Sequence, residues 1–238
     1  MKKFILEGLF FLFLLSFTAC NDNDSDSTPI TIGDAFILSE ISSSDDATEN
    51  VVYSLVFQAY STNYTVSSLN VSGSYTNYSL TNNDGLYSYI EGPYDNYNIF
   101  PDDYIFNYTF ANNTHTTSTN TVTSDVIQPA EITSCIGNSS SLGSSSIVVK
   151  WNTIENANAL LIQMKNSEGV VVFSNNDYYN QLNDNEYIIS NETGIWKDDY
   201  ELSEDETYTV EILGFLTESE YSGYIQSESI ASATVVWE

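Results

Sequence analysis

Short apolar runs with a two-residue alternation are the feature that most constrains how this chain can fold. Tyr104, Phe106 and Tyr108 show the pattern, because every second residue of a strand points to the same face of a sheet. Polar turns separate these runs, and no window of useful length repeats apolar residues at helical spacing. Hydrophobic residues make up 42% of the chain, which is typical of a globular protein rather than a disordered acidic one. The sequence therefore predicts an all-β fold.

The first residues have the pattern of an export signal. Lys2 and Lys3 precede an apolar run over residues 4–17, which is too short for the about 20 apolar residues that span a bilayer. Residues 1–19 therefore fit a signal peptide, with the small residue Ala19 at the cleavage position and Cys20 directly after it.

The Ala19–Cys20 junction resembles a bacterial lipoprotein signal, in which the cysteine is lipidated and becomes the mature N-terminus. Phe17 stands where such signals usually carry leucine. Residues 20–29 predict an acidic flexible tether, and this tract resembles the one that marks surface-exposed lipoproteins of the Bacteroidetes. The resemblance implies a protein held in the outer membrane by acyl chains on Cys20 and exposed at the cell surface. A plain secreted protein is the alternative.

The charge excludes one class of partner. The chain carries 33 acidic and only 5 basic residues, for a formal net charge of −28. Nucleic-acid binding draws its affinity from lysine and arginine that displace counterions, so nucleic acid is excluded as a partner. Anionic lipid headgroups would be repelled as well, so membrane contact depends on acyl chains.

Two sandwiches in tandem are predicted after the tether. Residues 30–127 predict an immunoglobulin-like β-sandwich, in which Asp84-Gly85 between apolar runs indicates a tight hairpin. Residues 129–238 resemble a fibronectin type III domain, with Trp151 ending strand B and with Leu202 and Tyr208 flanking the E–F corner. The resemblance implies that the Tyr208 ring lies in the core while its hydroxyl bonds the backbone a few residues upstream.

The second unit differs from the fibronectin type III pattern at two places, and the first unit repeats part of that pattern. Leu160 replaces the usual tyrosine of strand C, and residues 175–185 form an unusually long polar segment. The order of Phe100 and Tyr104 repeats that of Leu202 and Tyr208 at shorter spacing, which favours an immunoglobulin-like first unit.

The sequence offers few groups for catalysis. His115 is the one histidine and is predicted to be an exposed loop residue, whereas Cys135 is predicted to be a small buried hydrophobe. Paired carboxylates occur at Asp102-Asp103, at Asp198-Asp199 and over residues 204–206. They are predicted to be solvated, with Ca²⁺ bound at loop ends as the alternative and no other cofactor expected. A small sandwich seldom has the cleft that a two-carboxylate glycosidase needs, so a non-enzymatic protein is predicted.

Aromatic residues in predicted loops are the remaining binding candidates, because loops on a rigid scaffold commonly carry binding residues. Trp196 is the residue most consistent with a sugar-stacking platform. The tyrosines in or beside predicted loops are Tyr87, Tyr89, Tyr94, Tyr97, Tyr178, Tyr179, Tyr221 and Tyr224, of which Tyr178, Tyr179, Tyr221 and Tyr224 join Trp196 as ligand-binding candidates.

Together these features predict a non-enzymatic, lipid-anchored surface protein that acts as a protein-interaction or spacer module. The alternative is an accessory glycan-binding lipoprotein, resembling those of polysaccharide-uptake systems in the Bacteroidetes.

Overall fold

The computed structural model of the chain describes residues 29–43, 49–139, 145–175, 185–198, 200, 202–203, 205–218 and 223–237. The predicted signal peptide, Cys20 and nearly all of the predicted tether lie outside these residues. Within the described part, β-strands dominate and the single helical element is a 3₁₀ turn at Tyr97–Ile99. The all-β prediction is confirmed, whereas the tandem arrangement of two sandwiches stays a prediction. No helix in these ranges has the length and hydrophobicity needed to cross a membrane.

The first compact unit comprises the described residues from 29 to 126 and those of the returning segment Thr217–Glu228. Its strands are β1 (Thr31–Ser43), β2 (Glu49–Ser61), β3 (Val66–Ser72), β4 (Asn77–Ser79), β5 (Thr81–Asn83), β6 (Leu86–Tyr94), β7 (Asp102–Phe110) and β8 (His115–Val122). One sheet has the order β1-β2-β6-β5, and the second sheet has the order β4-β3-β7-β8.

The core of the first unit is rich in aromatic rings. Phe57 on β2 meets Phe106 and Tyr104 on β7 edge to face, with ring centroids 6.1 and 5.0 Å apart. These residues come from opposite sheets and are almost fully buried, so the two sheets enclose one hydrophobic core. Each such edge-to-face pair contributes about 0.5–1.5 kcal/mol beyond its buried area.

The second compact unit comprises residues 127–216 and 229–238. Its strands are β9 (Ile132–Ser139), β10 (Ser145–Trp151), β11 (Ala159–Lys165), β12 (Val171–Ser174), β13 (Glu186–Ser190), β14 (Ile195–Trp196), most of β15 (Thr207–Thr217) and the later part of β16 (Ile225–Val236). One sheet has the order β14-β12-β11-β15-β16, and the other has the order β13-β10-β9. Residues from both sheets form a single core that includes Trp151, Ile162 and Tyr208.

The division between the units differs from the predicted ranges in two places. The sequence predicts sandwiches over residues 30–127 and 129–238, but Ile127 packs in the second core and the described part of Thr217–Glu228 groups with the first unit. The side-chain hydroxyl of Ser227 donates to the carbonyl of Ile37 on β1 (3.0 Å), and the N–H of Ile225 donates to the Asp34 carboxylate (2.9 Å). These long-range polar contacts carry no signature in the local sequence pattern.

The Asp84-Gly85 hairpin is confirmed. Asn83 and Leu86 pair across the turn, which leaves a two-residue loop between β5 and β6. Both loop residues have positive φ, 52° at Asp84 and 95° at Gly85. A type I′ turn requires this geometry, and an Asp-Gly pair adopts it at low cost.

A buried tyrosine hydroxyl is hydrogen-bonded to backbone upstream of it in each unit. In the second unit Tyr208 is fully buried, and its hydroxyl accepts a hydrogen bond from the N–H of Ser203 (3.1 Å) and donates to the Glu206 carboxylate (2.8 Å). In the first unit the hydroxyl of Tyr104 donates to the carbonyl of Phe100 (2.8 Å). In both units, therefore, a phenol bonds to backbone four or five residues upstream, as the donor in Tyr104 and as the acceptor in Tyr208.

We expect Tyr208→Phe to lower the free energy of unfolding of the second unit by about 1–2 kcal/mol. The substitution removes a buried hydroxyl, so the N–H of Ser203 and the carboxylate of Glu206 each lose a hydrogen bond. Urea unfolding followed by tryptophan fluorescence measures this, since all three tryptophans belong to the second unit. Thr207→Val is the control, because it removes an exposed hydroxyl of the same unit, and it should change stability by less than about 0.5 kcal/mol. Equal stability of both variants would contradict the role given to the Tyr208 hydroxyl.

Candidate functional site

Trp196, the predicted sugar platform, lies on the short edge strand β14 and is only partly exposed. Its ring packs on Phe173 with centroids 4.9 Å apart and planes inclined by 60°. Its indole N–H donates to the carbonyl of Ser190 at the end of β13 (3.0 Å). The hydroxyl of Thr193 donates to the carbonyl of Ile188 (2.9 Å), so side chains occupy backbone acceptors of the β13 edge. Trp196 thus joins the edges of the two sheets, which protects an exposed edge from unwanted pairing.

The other predicted ligand residues are spread over the structure. Tyr178, Tyr179 and Tyr221 lie outside the described residues, and Tyr224 is 38% exposed just before β16. Tyr87 lies on β6 beside the Asp84-Gly85 turn, as expected, and its hydroxyl donates to the carbonyl of Val66 (2.7 Å). Its ring is buried in the core, so it offers no exposed face to a ligand.

The two candidate nucleophilic or basic side chains have ordinary surroundings. His115 is exposed at the start of β8, with Nδ1 3.1 Å from the Thr109 hydroxyl. Cys135 is partly buried on β9 against the second core, and burial raises the pKa of its thiol to about 11. At neutral pH Cys135 is therefore a protonated thiol, which is the unreactive form.

The two side chains of the predicted carboxylate pair Asp102-Asp103 accept hydrogen bonds from different groups. The Asp102 carboxylate accepts from the N–H and hydroxyl of Ser74, both at 2.6 Å, and from the N–H of Asp103. Partial burial alone would raise the pKa of Asp102, but these hydrogen bonds outweigh it and the pKa lies below the usual value. Asp103 instead accepts from the hydroxyl of Thr121 (2.6 Å), so the two carboxylates act as separate turn and strand contacts.

The corresponding acidic stretch of the second unit is described in part. Asp199 and Glu204 lie outside the described residues. Glu206 accepts from the Tyr208 hydroxyl (2.8 Å) and from the Ser167 hydroxyl (3.2 Å). Across the described ranges no group of three or more His, Cys, Asp or Glu side chains is arranged to hold a metal ion.

Three tyrosines surround one carboxylate on the first unit, and we call Tyr78, Tyr89, Tyr94 and Glu91 the tyrosine–glutamate cluster. Tyr89 donates to Oε2 of Glu91 (2.8 Å) and Tyr94 donates to Oε1 (2.5 Å), so each carboxylate oxygen accepts one phenol. The rings of Tyr78 and Tyr89 are 5.6 Å apart and inclined by 46°. The cluster is partly exposed, with Tyr94 at 39%.

Glu91 contributes to a raised pKa in all three phenols. Its hydrogen bonds to Tyr89 and Tyr94 raise the pKa of both hydroxyls, and burial together with the Glu91 charge raises the pKa of Tyr78. The phenols therefore remain neutral hydrogen-bond donors. Because β6 supplies Tyr89, Glu91 and Tyr94 while β4 of the other sheet supplies Tyr78, the cluster lies where the two sheets meet.

A second polar network is buried in the same unit. Asp34 on β1 is fully buried, and its carboxylate accepts from the N–H of Ile225 (2.9 Å) and from the side-chain amide of Asn120 (3.2 Å). The same amide donates to the exposed carboxylate of Glu218 (2.8 Å). Burial raises the pKa of Asp34 to about 8; the Ile225 N–H opposes this shift and the Glu218 charge adds to it. Sequence reasoning missed this group, because an aspartate in a strand ordinarily points to solvent.

The fold and these groups define an all-β protein with two cores enclosed between sheets and an aromatic–carboxylate cluster at its surface. No protein-family model and no curated protein matches the sequence.

Asp34 should make stability depend on pH. Between the ordinary value of 3.8 and the native value of about 8, the folded chain keeps a proton that the unfolded chain releases. Folding then takes up a proton, so the free energy of unfolding falls as pH rises through this window. An amide side chain does not titrate. In Asp34→Asn the free energy of unfolding should therefore fall by on the order of a few kcal/mol less than in the native chain over the same pH range.

Urea unfolding at closely spaced pH values from 4 to 9 measures the difference between the native chain and the variant. Asp125→Asn is the control, because Asp125 is exposed and the substitution changes the net charge by the same amount. Parallel pH curves for the native chain and Asp34→Asn would show that Asp34 is ionised in the folded state throughout, contrary to our account.

Proposed function

We propose that the chain is a non-enzymatic, lipid-anchored protein of the bacterial cell surface that acts as a protein-interaction or spacer module. The observation that carries the proposal is a buried tyrosine hydroxyl bonded to upstream backbone in both units: Tyr104 donates to the carbonyl of Phe100, and Tyr208 accepts from the N–H of Ser203. Such bonds resemble the tyrosine corner of immunoglobulin-like sandwiches, an architecture that many cell-surface proteins share.

The leader and the charge support the anchor and the location. The Ala19–Cys20 junction offers a thiol for acylation, and residues 20–29 offer an acidic spacer between the membrane and the first strand. A net charge of −28 keeps such a surface soluble and repels anionic headgroups, so the acyl chains are the membrane contact.

A second candidate function is glycan binding, and the observation that favours it is the fixed orientation of Trp196. Phe173 and the bond to Ser190 hold a partly exposed indole in one position. A pre-oriented aromatic ring loses little freedom when it stacks on a ligand.

Replacement of Cys20 tests the anchor. In cells that make Cys20→Ala, we expect the protein to leave the membrane fraction, whereas the native chain stays there and is cleaved by protease added to intact cells. Asp24→Ala is the control, because it alters the tether a few residues away and keeps the thiol. Retention of Cys20→Ala in the membrane fraction would contradict the acyl anchor.

Tryptophan emission separates the two candidate functions. Trp151 and Trp237 are 3% and 8% exposed, so a ligand-dependent change reports mainly on Trp196. The interaction or spacer function predicts unchanged spectra across a panel of neutral polysaccharides. A saturable shift that Trp196→Phe removes would instead establish glycan binding at Trp196.

A further inference from the structure

The first unit has carboxylates but no lysine or arginine to pair with them. The five lysines of the chain are Lys2, Lys3, Lys150, Lys165 and Lys197, and arginine does not occur. Residues 4–149 therefore contain no lysine or arginine, and His115 is their one histidine. The segment Thr217–Glu228 has no basic residue either. In the absence of such cations, Glu91 and Asp102 of this unit accept hydrogen bonds from hydroxyls and backbone N–H groups.

Glu91 combines this uncompensated charge with aromatic faces. Its two oxygens accept from Tyr89 and Tyr94, which hold the carboxylate in a fixed position. Tyr78 stands 5.6 Å from Tyr89, and Tyr94 stands 5.8 Å from the buried ring of Phe100. A cation over an aromatic face within about 6 Å of its centre is attracted by the ring quadrupole, and a nearby carboxylate adds to that attraction.

The inclination of the rings distinguishes a cation from a sugar. Tyr78 and Tyr89 are inclined by 46°, and Tyr94 is inclined to Phe100 by 60°. Stacking on a sugar needs a flat exposed face, which these rings do not jointly offer. The two phenols that orient Glu91 instead place aromatic rings beside its carboxylate, so a cation paired with Glu91 lies next to aromatic rings.

We propose that the tyrosine–glutamate cluster binds a lysine or arginine side chain of a basic partner protein. The proposal rests on the interaction function given above and adds the chemistry of the partner. A basic segment also meets the negative potential of the whole chain, which raises the rate of encounter, while Glu91 and the rings determine where the side chain binds.

Calorimetric titration of the full chain with a blocked lysine peptide of about eight residues tests the proposal. We expect Glu91→Gln to weaken binding about tenfold and Tyr94→Leu to weaken it about fivefold, because the first removes the charge and the second an aromatic face. Tyr94→Phe keeps the face and should lose less than Tyr94→Leu. Asp125→Asn removes one exposed charge away from the cluster and should change the affinity by less than about twofold.

The outcomes separate local recognition from simple attraction between opposite charges. Equal losses for Glu91→Gln and Asp125→Asn would show that only net charge matters, and an unchanged affinity in Tyr94→Leu would remove the aromatic contribution; either overturns the proposal. Spermidine that binds as tightly as the peptide would assign the cluster to small amines and overturn a protein partner. None of these results bears on retention of the chain in the membrane, so failure here is distinct from failure of the surface anchor.

Discussion

Carboxylates that accept hydrogen bonds from neutral donors determine the polar structure of the first unit. The donors to Asp34, Glu91 and Asp102 are backbone N–H groups, hydroxyls and an amide. The pKa values of Asp34 and Asp102 nevertheless shift in opposite directions. Burial keeps a proton on Asp34 at neutral pH, whereas the hydrogen bonds from Ser74 and Asp103 favour the ionised form of Asp102. Glu91, oriented by two phenols at the surface, presents its carboxylate beside aromatic rings.

The second unit follows a different arrangement, because it contains the lysines that the first unit lacks. Lys150 pairs with Glu186 across β10 and β13, and Lys165 pairs with Glu211 across β11 and β15 at 2.8 Å. The Lys165 pair is nearly buried, where breaking one partner leaves an uncompensated charge and is costly. Lys150 and Lys165 are thus paired within the second unit, whereas the first unit has no lysine or arginine for such pairs.

The sequence predicted those features that depend on neighbouring residues. Alternation predicted the strands, Asp84-Gly85 predicted a tight hairpin, and the resemblance to a fibronectin type III domain at Leu202 and Tyr208 implied the phenol–backbone bond that the structure contains. Each of these depends on local periodicity or on a turn of a few residues, which a single chain reveals. The all-β fold follows from them.

Features that depend on distant strands could not be predicted. Tyr78 meets Tyr89 only because β4 and β6 lie in opposite sheets that come together at this point. Asp34 is buried where Ile225, which is distant in sequence, donates to it. Tyr87 and Tyr89 are two residues apart on one strand, yet one is buried and the other partly exposed, since the depth of the core changes along β6.

Hydrogen exchange with and without the lysine peptide tests the central claim most directly, because it locates the contact instead of measuring its strength. The account predicts that added protection concentrates in β6 and the adjoining turn, residues 86–99, where three of the four cluster residues lie. Protection confined to the acidic residues 20–29, or spread evenly over the chain, would contradict recognition at Glu91.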